Sequence, residues 1–245
     1  MMFLVLGLGG TLAGADIAGD VVIGAGETVE FEAGGTRYTG TLTIEAGATL
    51  RFPPGAFLEM WRDTQFVVNG TEEAPVVFEC TNPTKRWSGI LIEARSTGVV
   101  RHARFTGVVN GFSLRTDSSL VIRDSSFSMG EPGVVEAFTG FGTAGISGTG
   151  ASIDVDRCEF GPFVGGRGVN ASSGDGGVGR PAYGILMQDY NDVRVTNSVF
   201  RDITGGRGGR GARGPGGMNG EDWGDSGEDG GVGGHGGDGG TADGE

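Results

Sequence analysis

Two stretches of the chain, GILIEARSTGVVRHARF (residues 89–105) and GFSLRTDSSLVIRDSSF (residues 111–127), decide the fold. Each begins with glycine and ends with phenylalanine, and apolar residues alternate with polar ones in between. The same pattern returns in GISGTGASIDVDRCEF (145–160) and GILMQDYNDVRVTNSVF (184–200). The glycine-to-phenylalanine spacing is 15 or 16 residues in all four, so the chain repeats one structural unit.

Apolar residues recur at every second position of the repeat, which is the periodicity of β-strands. Neighbouring residues of a strand point to opposite faces, so we expect these apolar residues to face inward. The inward set of the first strand is Ile90, Phe112, Ile146 and Ile185, followed by Ile92, Leu114, Gly148 and Met187. A second strand supplies the pairs Leu120 with Ile122, Ile153 with Val155 and Val193 with Val195. The closing Phe105, Phe127, Phe160 and Phe200 are predicted to stack on one another.

Related units precede these four. AGETVEF (25–31) matches AGATLRF (46–52), and residues 57–78 supply a further turn. Units of about 22 residues without a helical pattern cannot bury their apolar face alone and must stack on their neighbours. The sequence therefore predicts an all-β parallel β-helix over residues 16–204. The alternative, a β-sandwich, would pair antiparallel strands without ladders of like residues.

The repeat resembles the right-handed parallel β-helix of the pectin-lyase-like superfamily. The resemblance is carried by WSGI (87–90), by the ending IDVDRCEF (153–160) and by GTEEAPVVF (70–78), and it covers residues 19–204. It implies a right-handed solenoid. It implies no single activity, because polysaccharide enzymes, adhesins and structural proteins share this fold.

Three inserts interrupt or follow the repeats, at residues 130–144, 165–182 and 205–245. Each leaves the repeat a few residues after its closing phenylalanine, so we expect all three on one edge of the solenoid. In the last insert glycine recurs at every third position, which permits polyproline-II-type (polyglycine II) helices. A flexible linker is the alternative. We expect residues 205–245 to be an insertion truncated within a longer β-helix.

The composition and the N-terminal residues indicate where the protein is located and which partners it can bind. Of the 245 residues 53 are glycine and the net charge is −13, which disfavours a nucleic-acid partner. The apolar run at residues 1–15 ends in Ala13-Gly14-Ala15, as a signal peptide does, and it is too short to span a membrane. A hydrophobic cap on the first coil and a fragment start are the alternatives. We expect a secreted or cell-surface protein without a membrane span.

The candidate binding residues lie in the last insert. Arg207, Arg210 and Arg213 would share one face of a three-residue helix, and Trp223 lies at the expected loop tip. This set favours a glycan or a surface protein as the partner. The segment GGHGGD (233–238) matches the start of a calcium-binding nonapeptide, so Asp238 is a candidate for weak calcium binding; a chance match is the alternative. No other cofactor is expected.

The outward positions offer no constellation for catalysis. Asp154 and Asp156 point the same way, but their expected neighbours include Val121 and Arg194 rather than a second acid. His102 and His235 have no partner in the sequence pattern, and no catalytic residue is assigned. The leading prediction is a structural or adhesive module that presents glycine-rich loops. The alternative is a polysaccharide lyase or glycoside hydrolase of the pectin-lyase-like type.

Two further residue types leave alternatives open. Cys80 and Cys158 neither demand nor exclude a disulfide, and Cys158 takes an interior position that other repeats give to Ala103, Ser125 and Ser198. Trp87 could anchor a turn or stack on a sugar ring.

Overall fold

The computed structural model describes residues 16–129, 142–166, 168, 178–190 and 192–208, and the backbone of short strands at 4–6, 11–12 and 242–243. Every regular element in this part of the chain is a β-strand. Correspondingly, no described segment is a helix long and apolar enough to cross a bilayer.

The chain winds through three eight-stranded sheets, and each coil contributes one strand to each sheet. Strands are numbered β1 to β26 in chain order. The first sheet contains β3 (Asp16–Ala18), β6 (Gly35–Thr39), β9 (Phe57–Met60), β12 (Trp87–Ile92), β15 (Val108–Leu114), β18 (Thr143–Thr149), β22 (Ala182–Gln188) and β26 (Ala242–Asp243). The second sheet contains β1 (Leu4–Leu6), β4 (Val21–Ile23), β7 (Thr41–Glu45), β10 (Gln65–Asn69), β13 (Thr97–Arg101), β16 (Ser119–Arg123), β19 (Ser152–Asp156) and β23 (Asp192–Thr196). The third sheet contains β2 (Thr11–Leu12), β5 (Thr28–Phe31), β8 (Thr49–Phe52), β11 (Val76–Cys80), β14 (Ala103–Thr106), β17 (Ser126–Ser128), β20 (Glu159–Phe160) and β24 (Val199–Phe200), and a small fourth sheet pairs β21 (Phe163–Val164) with β25 (Ile203–Thr204).

All of these pairings are parallel, and equivalent residues of successive coils lie in register. In the first sheet Ile90 pairs with Phe112, and Phe112 pairs with Ile146, which pairs with Ile185. The predicted inward side chains of the coils between β12 and β19 are buried, with the outward ones between them more exposed. The parallel β-helix prediction is therefore confirmed, and the antiparallel sandwich is wrong.

Aromatic rings run along the inside of the third sheet in two stacks. Phe78, Phe105, Phe127, Phe160 and Phe200 form the longer stack, with ring centroids 4.5 to 4.9 Å apart. Phe31 and Phe52 form the shorter one, and Trp87 lies 4.2 Å from Phe52 and 6.4 Å from Phe78. Trp87 is fully buried and its Nε1 donates to the Thr106 carbonyl at 3.0 Å, so it joins the two stacks and is inaccessible to a sugar.

A register shift separates the first repeat from the others. Gly89 pairs with Asn110 while Ile90 pairs with Phe112, so Gly111 is an extra residue in β15. The predicted equivalence of Gly89 with Gly111 is thus wrong by one position. Gly89 has a φ of 118°, and a Cβ there would stand 1.5 Å from the Asn110 carbonyl oxygen, which only glycine avoids.

The turn from the second to the third sheet is tight in the later coils. His102, Asp124, Arg157 and Asn197 hold the left-handed conformation at this turn, with φ between 45° and 51°. The preceding coil differs, because six residues, 70–75, connect β10 to β11. This longer loop lies beside the column of tight turns, since Gly70 N donates to the Arg101 carbonyl at 3.1 Å.

The described segments that flank the second and third inserts lie side by side. Gly165 N donates to the Thr204 carbonyl at 2.8 Å, and Gly206 N donates to the Arg180 carbonyl at 2.8 Å. A Cβ on Gly206 would stand 2.0 Å from the Gly166 carbonyl oxygen, so glycine is what lets these segments approach. The glycine-rich stretches beyond them, including most of 130–144, 169–177 and 209–241, lie outside the described residues, and their helical conformation stays a prediction.

Short strands also add to both ends of the solenoid. Residues Leu4–Leu6 pair with Val21–Ile23, which is the arrangement expected of a cap on the first coil; cleavage of residues 1–15 as a signal peptide stays a prediction. Ala242 pairs with Ala182, so residues 205–245 contain a further strand of the first sheet.

Candidate binding groove

The outer face of the first sheet carries a concave surface that extends over several coils. Two adjoining cavities, of 200 and 150 Å³, share Asn110, Ser113 and Arg115 as lining residues. The first continues to Phe57 and Leu91, and the second continues to Ser147 and Gln188. We call this surface, from Phe57 on β9 to Gln188 on β22, the first-sheet groove.

The glycine at the register shift opens the groove. Gly89 lies in the ladder between Phe57 and Asn110, where any other residue would place a side chain. The ring of Phe57 in turn covers Gly35, because a Cβ on Gly35 would be 2.3 Å from the tip of that ring. The result is a notch bordered by an aromatic ring on one coil and an amide side chain two coils away.

Polar side chains line the middle of the groove. Asn110 Oδ1 accepts a hydrogen bond from the Ala144 backbone NH at 2.9 Å. This bond fixes the orientation of the side-chain amide and leaves the two Nδ2 hydrogens available as donors. No described residue accepts from this Nδ2. The hydroxyl oxygens of Ser113 and Ser147 are 3.4 Å apart on adjacent coils. These two adjacent coils therefore present hydroxyl groups one strand spacing apart, about 4.8 Å, and Leu91 and Leu186 flank them in the same column.

The charged residues of this face are arranged as ion pairs between coils. Arg37 Nε lies 2.8 Å from Glu59 Oε2, and Arg115 Nε lies 3.8 Å from Glu93 Oε1. The Glu59 hydrogen bond is the main reason that the pKa of Arg37 is raised. Both carboxylates along the described part of the groove thus face a guanidinium. Arg115 retains 63% of its side-chain exposure, which leaves donors free for a ligand.

One aromatic residue beside the groove was missed by sequence reasoning. Trp61 follows β9, and the guanidinium carbon of Arg37 stands 4.2 Å from its ring centroid. Arg37 is one coil earlier, so only the three-dimensional register brings the pair together. The Arg37 guanidinium covers one face of the partly exposed ring, and Trp61 is not among the residues that line the two cavities.

Of the residues predicted from the sequence as a binding site, the structure describes only Arg207. Arg207 is exposed at the base of the last insert, where its carbonyl accepts from Gly168 N at 2.8 Å. Arg210, Arg213, Trp223 and Asp238 lie outside the described residues, so their roles stay predictions. In the part of the chain that the structure describes, no three His, Cys, Asp or Glu side chains form a group that could hold a metal ion.

The other candidate residues, Asp154 and the two cysteines, have structural surroundings rather than places in the groove. Asp154 does pair with Val121 and Arg194 in the ladder, and its carboxylate is bound by Arg123, a diagonal contact that the sequence did not reveal. Cys80 and Cys158 are free thiols, and burial raises the pKa of Cys158 to about 11.

The fold and the groove define an all-β parallel β-helix solenoid with an open polar surface on one sheet. No protein-family model, curated protein or solved structure matches the chain.

Proposed function

We propose that this β-helix is a non-catalytic binding module that holds an extended glycan along the first-sheet groove, as a secreted or cell-surface protein of the pectin-lyase-like type. The single observation that carries the proposal is the pair of adjoining cavities on the first sheet, which Phe57, Asn110, Ser113, Ser147 and Gln188 line between β9 and β22. Such a groove combines apolar residues with several hydrogen-bonding side chains along its length, which suits an extended hydroxylated polymer.

The charge arrangement supports binding rather than bond cleavage. Glycoside hydrolysis needs two carboxylates flanking the scissile bond, with one of them able to hold a proton. Glu59 and Glu93 each face an arginine rather than a second carboxylate. Arg115 is the one groove residue that a lyase-type reaction could use as a base, so lyase activity is the alternative to be tested.

The described ends of the glycine-rich inserts lie next to the first sheet. They leave the solenoid just before β18, β22 and β26 of the first sheet, and their bases lie beside the amino ends of these strands. We propose that the inserts border the groove and contribute contacts from residues such as Arg207. This keeps the loops and the groove in one adhesive surface.

Affinity electrophoresis through gels that contain neutral or acidic polysaccharides tests the function directly. We expect at least one polysaccharide to retard the chain, with no new reducing ends and no unsaturated products on prolonged incubation. Robust turnover would overturn the non-catalytic assignment. Absence of retardation by every polysaccharide would overturn the glycan assignment.

A variant lacking residues 205–245 separates the groove from the loop. We expect retardation to weaken but persist, because the groove remains. Complete loss of retardation in a folded variant would show that the loop, and not the groove, binds the polysaccharide. Unchanged retardation would show that the loop does not contribute to binding.

A further inference from the structure

A second concave site lies at the turn between the second and third sheets, on a different side of the solenoid from the groove. It has a volume of 290 Å³ and is lined by Thr71, Glu72, His102, Arg104, Asp124 and Ser126, among others. We call it the corner pocket. Its volume is close to the lower limit for small-molecule sites of about 300 Å³.

The wall of the pocket exists because one loop is longer than its equivalents. Residues 70–75 stand beside the tight turn at His102, and Val76 N donates to the His102 carbonyl at 3.0 Å. A Cβ on Gly70 would be 2.2 Å from the same carbonyl oxygen, so glycine allows this close approach. Thr71 Oγ1 accepts from Ala74 N at 3.1 Å, which fixes the loop that forms the wall.

Two of the acids that line the pocket already have cationic partners. Asp124 is clamped by Arg157, with Nε to Oδ1 at 2.6 Å and Nη2 to Oδ2 at 2.9 Å. Glu159 is bound by Arg201. These pairs neutralise most of the negative charge on that side of the pocket.

Arg104 is the pocket arginine that is not paired with an acid among the described residues. It projects from β14 in register with Ser126 on the next coil, is exposed, and has no ion-pair or hydrogen-bond partner among the described residues. Glu72, on the loop wall, is likewise exposed and without a cationic partner there. His102 Nε2 lies 3.9 Å from Asp124 Oδ2, at the back of the pocket.

From this arrangement we infer that the corner pocket binds a small hydroxylated monocarboxylate, of the size of one sugar-acid residue. Arg104 takes the carboxylate, since a guanidinium matches its two oxygens, and Glu72, Thr71 and Ser126 take the hydroxyls. A dianion such as phosphate fits less well, because the unpaired carboxylate of Glu72 lines the same pocket as the single unpaired arginine. The inference does not rest on the first-sheet groove.

Titration followed by ¹H–¹⁵N correlation spectra tests the site with three probes, namely D-glucuronate, D-glucose and acetate. We expect D-glucuronate to shift the amide signals of His102, Ser125 and Ser126, and the other two probes to bind about tenfold more weakly or less. Equal binding of D-glucose would overturn the role of the carboxylate, and equal binding of acetate would overturn the role of the hydroxyls.

Two variants assign the effect to the arginine. Arg104→Gln should weaken D-glucuronate binding by about tenfold or more, the effect of one charge-assisted hydrogen-bonded pair. Arg194→Gln removes an equally exposed arginine from another face and should leave the affinity unchanged. Unaltered binding by Arg104→Gln, or no shift at the pocket amides in the parent protein, would overturn the inference. These amides are remote from the groove, so failure here is distinguishable from failure of the proposed function.

Discussion

Gly111 lies so close to the ring of Phe127 that a Cβ on the glycine would stand 2.5 Å from Phe127 Cδ1. The same relationship joins Gly145 to Phe160 at 2.4 Å and Gly184 to Phe200 at 2.2 Å. The glycine that opens each of these repeats and the phenylalanine that closes it are therefore one packing unit. The ring occupies the space that any other residue at the glycine position would need.

Replacing this glycine should destabilise the solenoid. In Gly111→Ala the new methyl group would also lie 2.4 Å from the Gly145 carbonyl oxygen, so both a ring and a backbone must move. Overpacking of this kind costs about 1–3 kcal/mol. Urea unfolding followed by circular dichroism measures the change, with Ser113→Ala on the outward face of the same strand as the control. Equal unfolding midpoints for the two variants would contradict the packing unit.

The position of a ring in the stack should decide its contribution. Phe127 is fully buried between Phe105 and Phe160, at 4.6 and 4.9 Å, whereas Phe200 is only partly buried. Phe127→Ala should lower the free energy of unfolding by about 3–5 kcal/mol, and Phe200→Ala by clearly less. Thermal and urea unfolding of both variants check the order. A larger loss for Phe200→Ala would mean that the stack is not the core of the fold.

The clamp between Arg157 and Asp124 should make stability depend on pH. Its hydrogen bonds hold the pKa of Asp124 below the ordinary value. A carboxyl with a lowered folded-state pKa stabilises the fold above its unfolded pKa, and this contribution is lost as the pH falls through the folded value. Arg157→Gln should therefore lower the unfolding temperature at about pH 7, and the difference from the parent should shrink towards about pH 3.

A pH series of thermal unfolding curves measures this difference. Arg194→Gln, which removes an exposed arginine with no described partner, should show no such trend. If the difference in unfolding temperature between Arg157→Gln and the parent protein is the same at both ends of the pH range, the stabilising role of the ion pair is contradicted.

The buried thiol should resist alkylation in the folded protein. Burial raises the pKa of Cys158 to about 11, so the thiol is protonated and enclosed at about pH 8, where a free cysteine reacts readily. We expect iodoacetamide to modify Cys158 only after urea is added, and to modify the half-buried Cys80 sooner. Peptide mass spectrometry of timed samples reads out both sites. Rapid native modification of Cys158 would place it outside the core.

The repeat made the coils predictable from the sequence. Like residues lie in register one coil apart, so the columns headed by Ile90 and Phe105 follow from the spacing alone. The phenylalanine stack follows from the same alignment, and the common edge predicted for the inserts stays a prediction. These features depend on local periodicity, which the sequence displays directly.

The groove was not predictable in this way. Its notch depends on a one-residue register shift at Gly89. The glycine-to-phenylalanine spacing differs by one residue between repeats, so this spacing cannot reveal a shift of one residue. The contact of Trp61 with Arg37 joins neighbouring coils whose sequences share little. Arg123 and Asp154 lie on adjacent coils but two positions apart in the repeat. Aligning the repeats compares only residues at the same position, so it does not reveal this pair.

The most direct test of the proposed function is the affinity for a retarding polysaccharide after a block is placed in the groove. Ser147→Arg puts a long side chain in the middle of the groove, and Val99→Arg puts the same side chain at an outward mid-strand position of the second sheet. Groove binding predicts that Ser147→Arg loses retardation while Val99→Arg keeps the parent dissociation constant. Retained binding by folded Ser147→Arg, or an equal loss in both variants, would contradict a glycan site on the first sheet.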